Sequence, residues 1–406
     1  MTAPFRLAVI GDTQHYLDSD GRLCALEPVV NQLDRWARLF DEVVICAPLD
    51  PGPPPLGFGP YQATNLRIEP LPRAGGNTLT AKLLMVPRLL PWAWHTRRVA
   101  RSVDAVHLRC PCNIGLVAIF STWKAVRYRH AMYAGVWRGY RGEPRFFGLQ
   151  RRLLASRWFD GPVSVYASRQ LDRPDLEPNF SPSFSMETWI EAGTGAIAKL
   201  ERIADVDSPG PWRLVTVGRL TPNKNQRAIV QAMGELVAAG HDVVLDVFGD
   251  GPCRSDLEAQ AERLGVADRV VFHGSVGHLE VLDAFAAADL NLLATRQEGY
   301  GKVLLEGMLH ATVPLFAESP MAREIAGDGS RGLVFEADDH HGLAEMVAGL
   351  LADRPRWRAM AADARAYAAT VTLDTFEDRL REMLERQWDV TLPRHRAAEA
   401  PEVVDG

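Results

Sequence analysis

A chain of 406 residues, 47% hydrophobic and 24% charged, suits two domains of roughly 150–200 residues and excludes collagen-like, coiled-coil and wholly disordered architectures. Its net charge of −6 argues against a general nucleic-acid binder, and no apolar run reaches the ~20 residues of a spanning helix. Met1-Thr2-Ala3-Pro4-Phe5-Arg6 leads straight into a strand-like run without a basic-then-apolar signal, which predicts a cytoplasmic location. The five cysteines are scattered, and Cys110-Pro111-Cys112 lacks a second ligand pair, so buried thiols are expected and no metal site.

In chain order, Arg6–Ile10 reads as a buried strand, Glu27–Phe40 as a helix and Val43–Ala47 as a second strand. A Pro-rich loop follows at Pro51–Pro60, then a short strand at Leu66–Ile68. Ala105–Leu108 predicts a strand, Gly115–Tyr128 a helical region, and Ala131–Val136 and Pro162–Tyr166 further strands. Turn residues at Asp207–Pro211 mark a break. After it the alternation is sharper, with strands at Leu214–Val217, Val243–Phe248, Val270–Phe272, Leu290–Ala294, Val313–Phe316 and Gly332–Val334. Helices fall between them at Gln226–Ala239, Arg254–Leu264, Leu279–Ala287 and Lys302–His310, and His341–Leu351 closes the series. Strand and helix in alternation predict parallel, doubly wound sheets, which bind ligands beyond the strand carboxyl ends. The domains expected are 1–205 and 206–370, with a helix over 371–390 packing back on the first domain and a disordered tail over 391–406.

Two connections carry chemistry. In Val217-Gly218-Arg219-Leu220-Thr221-Pro222-Asn223-Lys224-Asn225, Gly218 lets the chain turn and the helix beginning near Asn225 aims free N–H groups outward. A helix N-terminus flanked by Arg219 and Lys224 suits an anion: Arg grips two phosphate oxygens and Lys acts as a point charge. Lysine is scarce, with only five in the chain, which makes one at this loop more informative. The second connection, Thr295-Arg296-Gln297-Glu298-Gly299-Tyr300-Gly301-Lys302-Val303-Leu304-Leu305-Glu306, opens another helix. Gly299 and Gly301 admit a ligand close to the backbone, and Glu298 and Glu306 can address separate groups of one elongated ligand. Leu304 and Leu305 bracket Glu306 and predict that it is partly buried, where an acid needs a partner such as a ligand hydroxyl. Phe248-Gly249-Asp250-Gly251-Pro252-Cys253-Arg254 begins like a dinucleotide fingerprint, but Arg254 stands where the third glycine belongs.

E-G-Y-G-K-V-L-L-E resembles the Glu-x7-Glu signature of family 4 retaining glycosyltransferases (glycosyl transferases group 1), and V-G-R-L-T-P-N-K-N resembles their phosphate loop. The intervening V-F-G-D-G-P, V-V-F-H-G-S-V and A-A-A-D-L-N-L-L-A-T keep the family's order, and the likeness covers roughly 212–352. It implies an α/β GT-B fold, two facing Rossmann-like domains with an inter-domain cleft. It further implies a retaining, metal-independent transfer of a sugar from a nucleoside-diphosphate sugar to an acceptor hydroxyl, without a cofactor. Arg219 and Lys224 would hold the donor diphosphate, Glu306 the ribose and Glu298 the sugar hydroxyls. Gly218 and the Gly299-Tyr300-Gly301-Lys302-Val303 backbone would line the donor. The acceptor would be a polysaccharide, a glycolipid or a glycosylated small molecule. Alternatives of the same fold are a nucleotide-sugar epimerase or phosphorylase, and a non-catalytic sugar-nucleotide binder. Departures occur at Glu306-Gly307, where Glu-Ala is usual, and at His310-Ala311-Thr312-Val313-Pro314, which lacks the usual glycine before the proline. The first half matches less well: Gly11-Asp12-Thr13-Gln14 and Gly21 are the nearest donor-side candidates, Trp137 and Arg138 are acceptor-side candidates, and His107, at the end of its strand, reads as structural or as a further acceptor-side candidate.

Charge is uneven. Between Lys82 and Arg157 fifteen Lys/Arg face two acids, a local +13, with aromatic residues interleaved. Three readings stay open for this segment: an acceptor surface, a peripheral contact with an anionic membrane, and an arginine bias without function.

Overall fold

The computed structural model describes residues 4–72, 86–137, 139, 143–166, 176–205, 207–208 and 210–393. The chain divides into two compact units, Met1–Asn179 with Phe376–Gly406, and Phe180–Thr375.

In the first unit the apolar run Arg6–Ile10 forms β1, followed by the two-residue strand β2 (Tyr16–Leu17), β3 (Leu23–Leu26) and helix α1 (Glu27–Ala37). Then come β4 (Glu42–Pro48), β5 (Phe58–Pro60), β6 (Leu66–Leu71), α2 (Leu89–Ala100), β7 (Ala105–Cys110) and α3 (Asn113–Ser121). The unit continues with β8 (Tyr128–Tyr133), α4 (Arg145–Leu154), β9 (Val163–Val165) and β10 (Leu176–Pro178). Seven strands make one sheet in the order β10-β9-β8-β7-β1-β4-β6, and every neighbouring pair is parallel. Because both faces are covered, β1 and β4 read as nearly continuous apolar runs.

The structure departs from expectation in several places. The Pro51–Pro60 segment is not all loop: Phe58–Pro60 pairs with β3 in a small antiparallel sheet, β2-β3-β5. The helix expected to reach Tyr128 stops at Ser121, where Thr122 Oγ1 donates to the Ala118 carbonyl (2.7 Å) and Lys124 turns left-handed at φ 52°. The following strand therefore starts earlier, at Tyr128, in register with Ala105. Its Arg129 and His130 disguise it, yet both are buried. Arg129 donates to the Phe159 and Ile119 carbonyls (2.6 Å each), and His130 Nε2 meets Ser164 Oγ (2.9 Å).

The second unit starts with α5 (Met186–Glu191) and α6 (Gly193–Ala204). Its sheet strands are β11 (Trp212–Val217), β12 (Val243–Phe248), β13 (Val270–Gly274), β14 (Leu290–Leu293), β15 (Val313–Ala317) and β16 (Leu333–Phe335). Between them lie α7 (Gln226–Ala238), α8 (Arg254–Arg263), α9 (His278–Ala287), α10 (Lys302–Leu309) and α11 (Ala322–Ala326), and α12 (His340–Ala352) and α13 (Arg354–Ala368) follow. The order β13-β12-β11-β14-β15-β16, all parallel, is the doubly wound 3-2-1-4-5-6 arrangement.

The boundary expected at 205/206 lies instead at Asn179/Phe180. The reason is α6, whose Ala196 and Ile203 enter the second unit's core and whose buried Lys199 donates to Phe285 O (2.9 Å) and Thr312 Oγ1 (2.7 Å). Helix α14 (Leu373–Trp388) joins the first unit from Phe376 onward. Trp388 stacks on Tyr128 (centroids 5.2 Å apart) and meets Phe40 at an angle, while Glu377 pairs with Arg35 and Arg38. The tail expected to be disordered lies outside the described residues from 394 onward. No helix among the described residues is long and apolar enough to cross a membrane.

Three buried histidines in the first unit give the fold an acid limit. His130 is pushed down to about 3 by burial, His15 to about 4 by burial, and His107 lies well below its usual value from burial and the neighbouring His130. The unfolded chain takes up protons near pH 6.5 that these rings refuse in the fold. Stability is therefore full above that pH and is lost as pH falls through it, by up to about 1.4 kcal/mol per ring per pH unit. Thermal melts are expected to show a steep drop in midpoint below pH ~6. An unchanged midpoint between pH 7.5 and 5 would be the contrary result.

Candidate functional site

In the second unit the strand order reverses between β11 and β14, the place where an open parallel sheet leaves a crevice beyond its carboxyl ends. Both connections singled out from the sequence emerge there: 218–225 leads from β11 into α7, and 295–301 from β14 into α10. They are laced together. Arg296 N donates to Asn223 O (2.9 Å) and Asn223 Nδ2 to Gln297 O (3.2 Å). The Arg296 guanidinium donates to the Pro222 carbonyl, to Asn225 Oδ1 (2.9 Å) and to Asp338 Oδ1 (2.6 Å). Asn225 holds the left-handed entry to α7 (φ 52°) and donates to Ala337 O (2.6 Å) and Asp338 Oδ1 (3.2 Å).

Each donor-side candidate has a definite place. Gly218 sits at φ 152° with its N–H donating to Phe248 O (2.9 Å). Arg219 is exposed, whereas Lys224 and Glu298 are half-buried and bonded to each other, Nζ to Oε2, at 2.7 Å. Read separately in the sequence as a phosphate ligand and a sugar ligand, these two side chains neutralise one another in this structure. Glu298 Oε1 also accepts the Gly299 N–H (3.1 Å). Gly301 caps α10 at φ 79°, and a Cβ there would lie 2.9 Å from Leu304 Cδ1, so the turn requires glycine. Tyr300 is buried, and Lys302 and Val303 form the first turn of α10.

Glu306 lies inside α10 among Leu304, Leu305 and Met308, only 5% exposed. None of the hydrogen bonds or ion pairs of the described residues engages its carboxylate. A charged group so placed is unfavourable unless something polar meets it. Gly307, the departure noted above, packs against Asn291 and Phe285, where a Cβ would lie 3.0 Å from Asn291 Nδ2.

Sequence reasoning missed the parts that hold these loops. Phe248-Gly249-Asp250-Gly251 is a buttress under the first loop. Leu220 N donates to Asp250 O (3.0 Å) and Cys253 N to Leu220 O (3.1 Å). The backbones approach so closely that a Cβ on Gly249 would lie 2.1 Å from Gly218 O, and one on Gly251 2.4 Å from Leu220 O. Arg296 was quoted within its motif without a role; its partner Asp338 lies 42 residues away, a distance no local pattern reveals. For the donor that the resemblance implies, Arg296→Ala should leave both loops unlaced and raise the KM ~10-fold with a smaller change in kcat, as measured in initial-rate kinetics. Equal KM in variant and wild type would remove Arg296 from the site.

In the first unit His107 does not end a strand at the surface. It lies inside β7, wholly buried, its Nδ1 2.7 Å from His130 Nδ1 and its ring stacked on Trp36 (4.3 Å), so it is a core residue. Gly21 occupies the exposed β2–β3 turn at φ 77°. Trp137 packs edge-on against Tyr133 (5.3 Å), and Arg138 is outside the described residues. The polar groups at this unit's own strand-order reversal, between β1 and β7, are different ones. Arg109 donates to Gln32 Oε1 (2.9 Å), and buried His15 bonds Thr13 O (2.8 Å) and Tyr61 Oη (3.0 Å).

Residues 201–368 match the family model described as Glycosyl transferases group 1. A 2-deoxystreptamine glucosyltransferase of Streptomyces kanamyceticus is 34% identical over 122 residues, 30% of this chain and 32% of that protein. A GDP-mannose-dependent α-(1-6)-phosphatidylinositol monomannoside mannosyltransferase of Mycolicibacterium smegmatis is 32% identical over 175 residues, 41% of this chain and 45% of that protein. The matches thus span a third to a half of these relatives. Anabaena HepE, solved with UDP and glucose, superposes with TM-score 0.66 at 16% identity, over 94% of this chain and 99% of HepE. That likeness concerns the fold, which is GT-B, two Rossmann-like domains. Residues 201–368 are therefore what this chain shares with the glycosyl transferases group 1 family.

Proposed function

We propose that the protein transfers a sugar from a nucleoside-diphosphate sugar to an acceptor hydroxyl, with retention at the anomeric carbon. One observation carries this reading: Arg219, Lys224 and the N-termini of α7 and α10 converge where the sheet order reverses, with Glu298 and Glu306 beside them. As the glycosidic C–O bond to phosphate breaks, negative charge grows on the diphosphate and positive charge on the sugar ring. Fixed cations and helix N–H groups already aimed at the phosphate favour that state over the ground state. A diphosphate arriving at the loop competes with Glu298 for Lys224, and Glu298 is then released to accept from sugar hydroxyls. Glu306, deep in α10, accepts from the ribose, the polar partner that its burial calls for. Two protein cations in this role make a divalent ion unnecessary, so transfer should survive chelation by EDTA. HepE was solved with UDP and glucose and the Mycolicibacterium relative is GDP-mannose-dependent, so both bases belong in the screen.

The test is a thermal-shift screen against UDP-, GDP- and dTDP-sugars, followed by transfer to acceptors with NMR assignment of the new anomeric centre. Stabilisation by one donor and a retained configuration are expected. A product of inverted configuration, or no shift with any donor, overturns the reading.

A further inference from the structure

Helices α2, α3 and α4 lie side by side in the first unit, α3 between the other two. Their inner faces fill its core through Trp92, Ile114, Ile119 and Leu154. Their outer faces are unusual for a soluble surface. Half of the 14 most exposed large apolar side chains among the described residues fall within 89–149, including Leu90 (80% exposed), Trp94 (61%) and Phe120 (50%). Trp123, just past α3, is also exposed, and both Trp123 and Phe120 pack on Trp158 (5.3 Å each).

The charge between these side chains is of one sign. Exposed cations include Arg88, Arg101, Lys124, Arg127, Arg152 and Arg157. The segment's two acids are already used: Glu143 chelates Arg151 through both oxygens, and Asp104 accepts the Arg6 N–H (2.9 Å). Among the described residues, Arg98 alone of the exposed cations here is matched from outside, by Glu69 at 3.0 Å. Next to the Phe120-Trp123-Trp158 cluster, Arg127 and Arg157 flank an open cavity of about 780 Å³ that also carries Asp160.

We propose that the outer face of α2–α4 docks on an anionic phospholipid surface, with Leu90, Trp94, Phe120 and Trp123 entering the headgroup region. The cavity between Arg127 and Arg157 would take a lipid phosphate. Two features favour a bilayer over a soluble polyanion. Single apolar side chains standing out among cations gain burial only in a medium that is itself apolar behind a charged layer. Tryptophan, with an apolar body and a polar tip, is suited to that boundary. Cations alone would concentrate the protein at any negative surface, so the apolar set carries the distinction.

Co-sedimentation of the full chain with vesicles tests this, and it needs no donor or transfer, so its outcome is independent of the proposed reaction. Vesicles of phosphatidylcholine alone are compared with vesicles holding about 30% phosphatidylglycerol, at low and high salt. Pelleting is expected with the anionic vesicles at low salt and should weaken as salt rises. L90E/W94E and K124E/R127E/R157E are each expected to weaken it ~10-fold or more. Unchanged circular dichroism and melting midpoint show that these surface variants still fold. No pelleting, or equal pelleting on neutral and anionic vesicles, overturns the proposal. So does full binding by L90E/W94E when the charge variant has lost it, since that pattern belongs to a soluble polyanion.

Discussion

Lys224→Ala is expected to lower sugar transfer ~100-fold or more, and Arg219→Ala likewise, because each removes a fixed cation from the place where leaving-group charge develops. The structure adds a feature that separates the two. Arg219 is exposed and its loss is a simple deletion of charge. Lys224 is bonded to Glu298 at 2.7 Å, so its loss also leaves a half-buried carboxylate facing the incoming phosphate. Lys224→Ala should therefore raise the donor KM as well as lower kcat. Combining it with Glu298→Gln should recover part of the KM defect while leaving kcat low. Residues in direct contact deviate from additivity in this way. The measurement is a double-mutant cycle on initial rates with saturating acceptor. Turnover like wild type in both single variants would falsify the placement of the diphosphate; strictly additive effects would show that the pair is incidental.

Gly249→Ala is expected to be the most damaging change outside the charged set. A Cβ at this position, with φ 124°, would lie 2.1 Å from the carbonyl oxygen of Gly218, an atom of the backbone that cannot rotate away. The loop must shift, and with it Arg219 and the entry to α7. Strain and displaced packing together suggest a loss of about 2–4 kcal/mol of stability and a donor affinity reduced ~10-fold or more. Gly265→Ala makes a useful control. It too has positive φ (71°), but a Cβ there meets nothing within 4 Å, and it lies at the end of α8. That variant should be less stable with donor binding intact. If Gly249→Ala melts and binds like wild type, the buttress has no role.

Much of the second unit is legible in its sequence. Its strands are short, apolar and bounded by turn residues, so β12 was expected at Val243–Phe248 and is found there, and α9 and α10 differ from expectation by one residue at an end. The charged residues of the two connections were legible because their spacing is local: five residues from Arg219 to Lys224 and eight from Glu298 to Glu306. The first unit was harder. β8 carries Arg129 and His130 in its middle, and only distant partners make their burial tolerable: the Phe159 and Ile119 carbonyls for Arg129, and Ser164 and His107 for His130. His107 was legible as structural, but nothing within the chain nearby announces a ring stacked on Trp36 and bonded to His130.

The sequence by itself determined which segments become strands and helices in the second unit, and which two connections hold its cations and acids. Those facts follow from periodicity and turn chemistry, and both act over a few residues. Only the tertiary structure decided that Lys224 answers Glu298, that Arg296 ties both connections to Asp338, and that Gly249 must be glycine because another backbone passes against it. The reason is geometric. Parallel strands bring residues tens of positions apart to one edge of a sheet, and contacts made there leave no trace in local spacing.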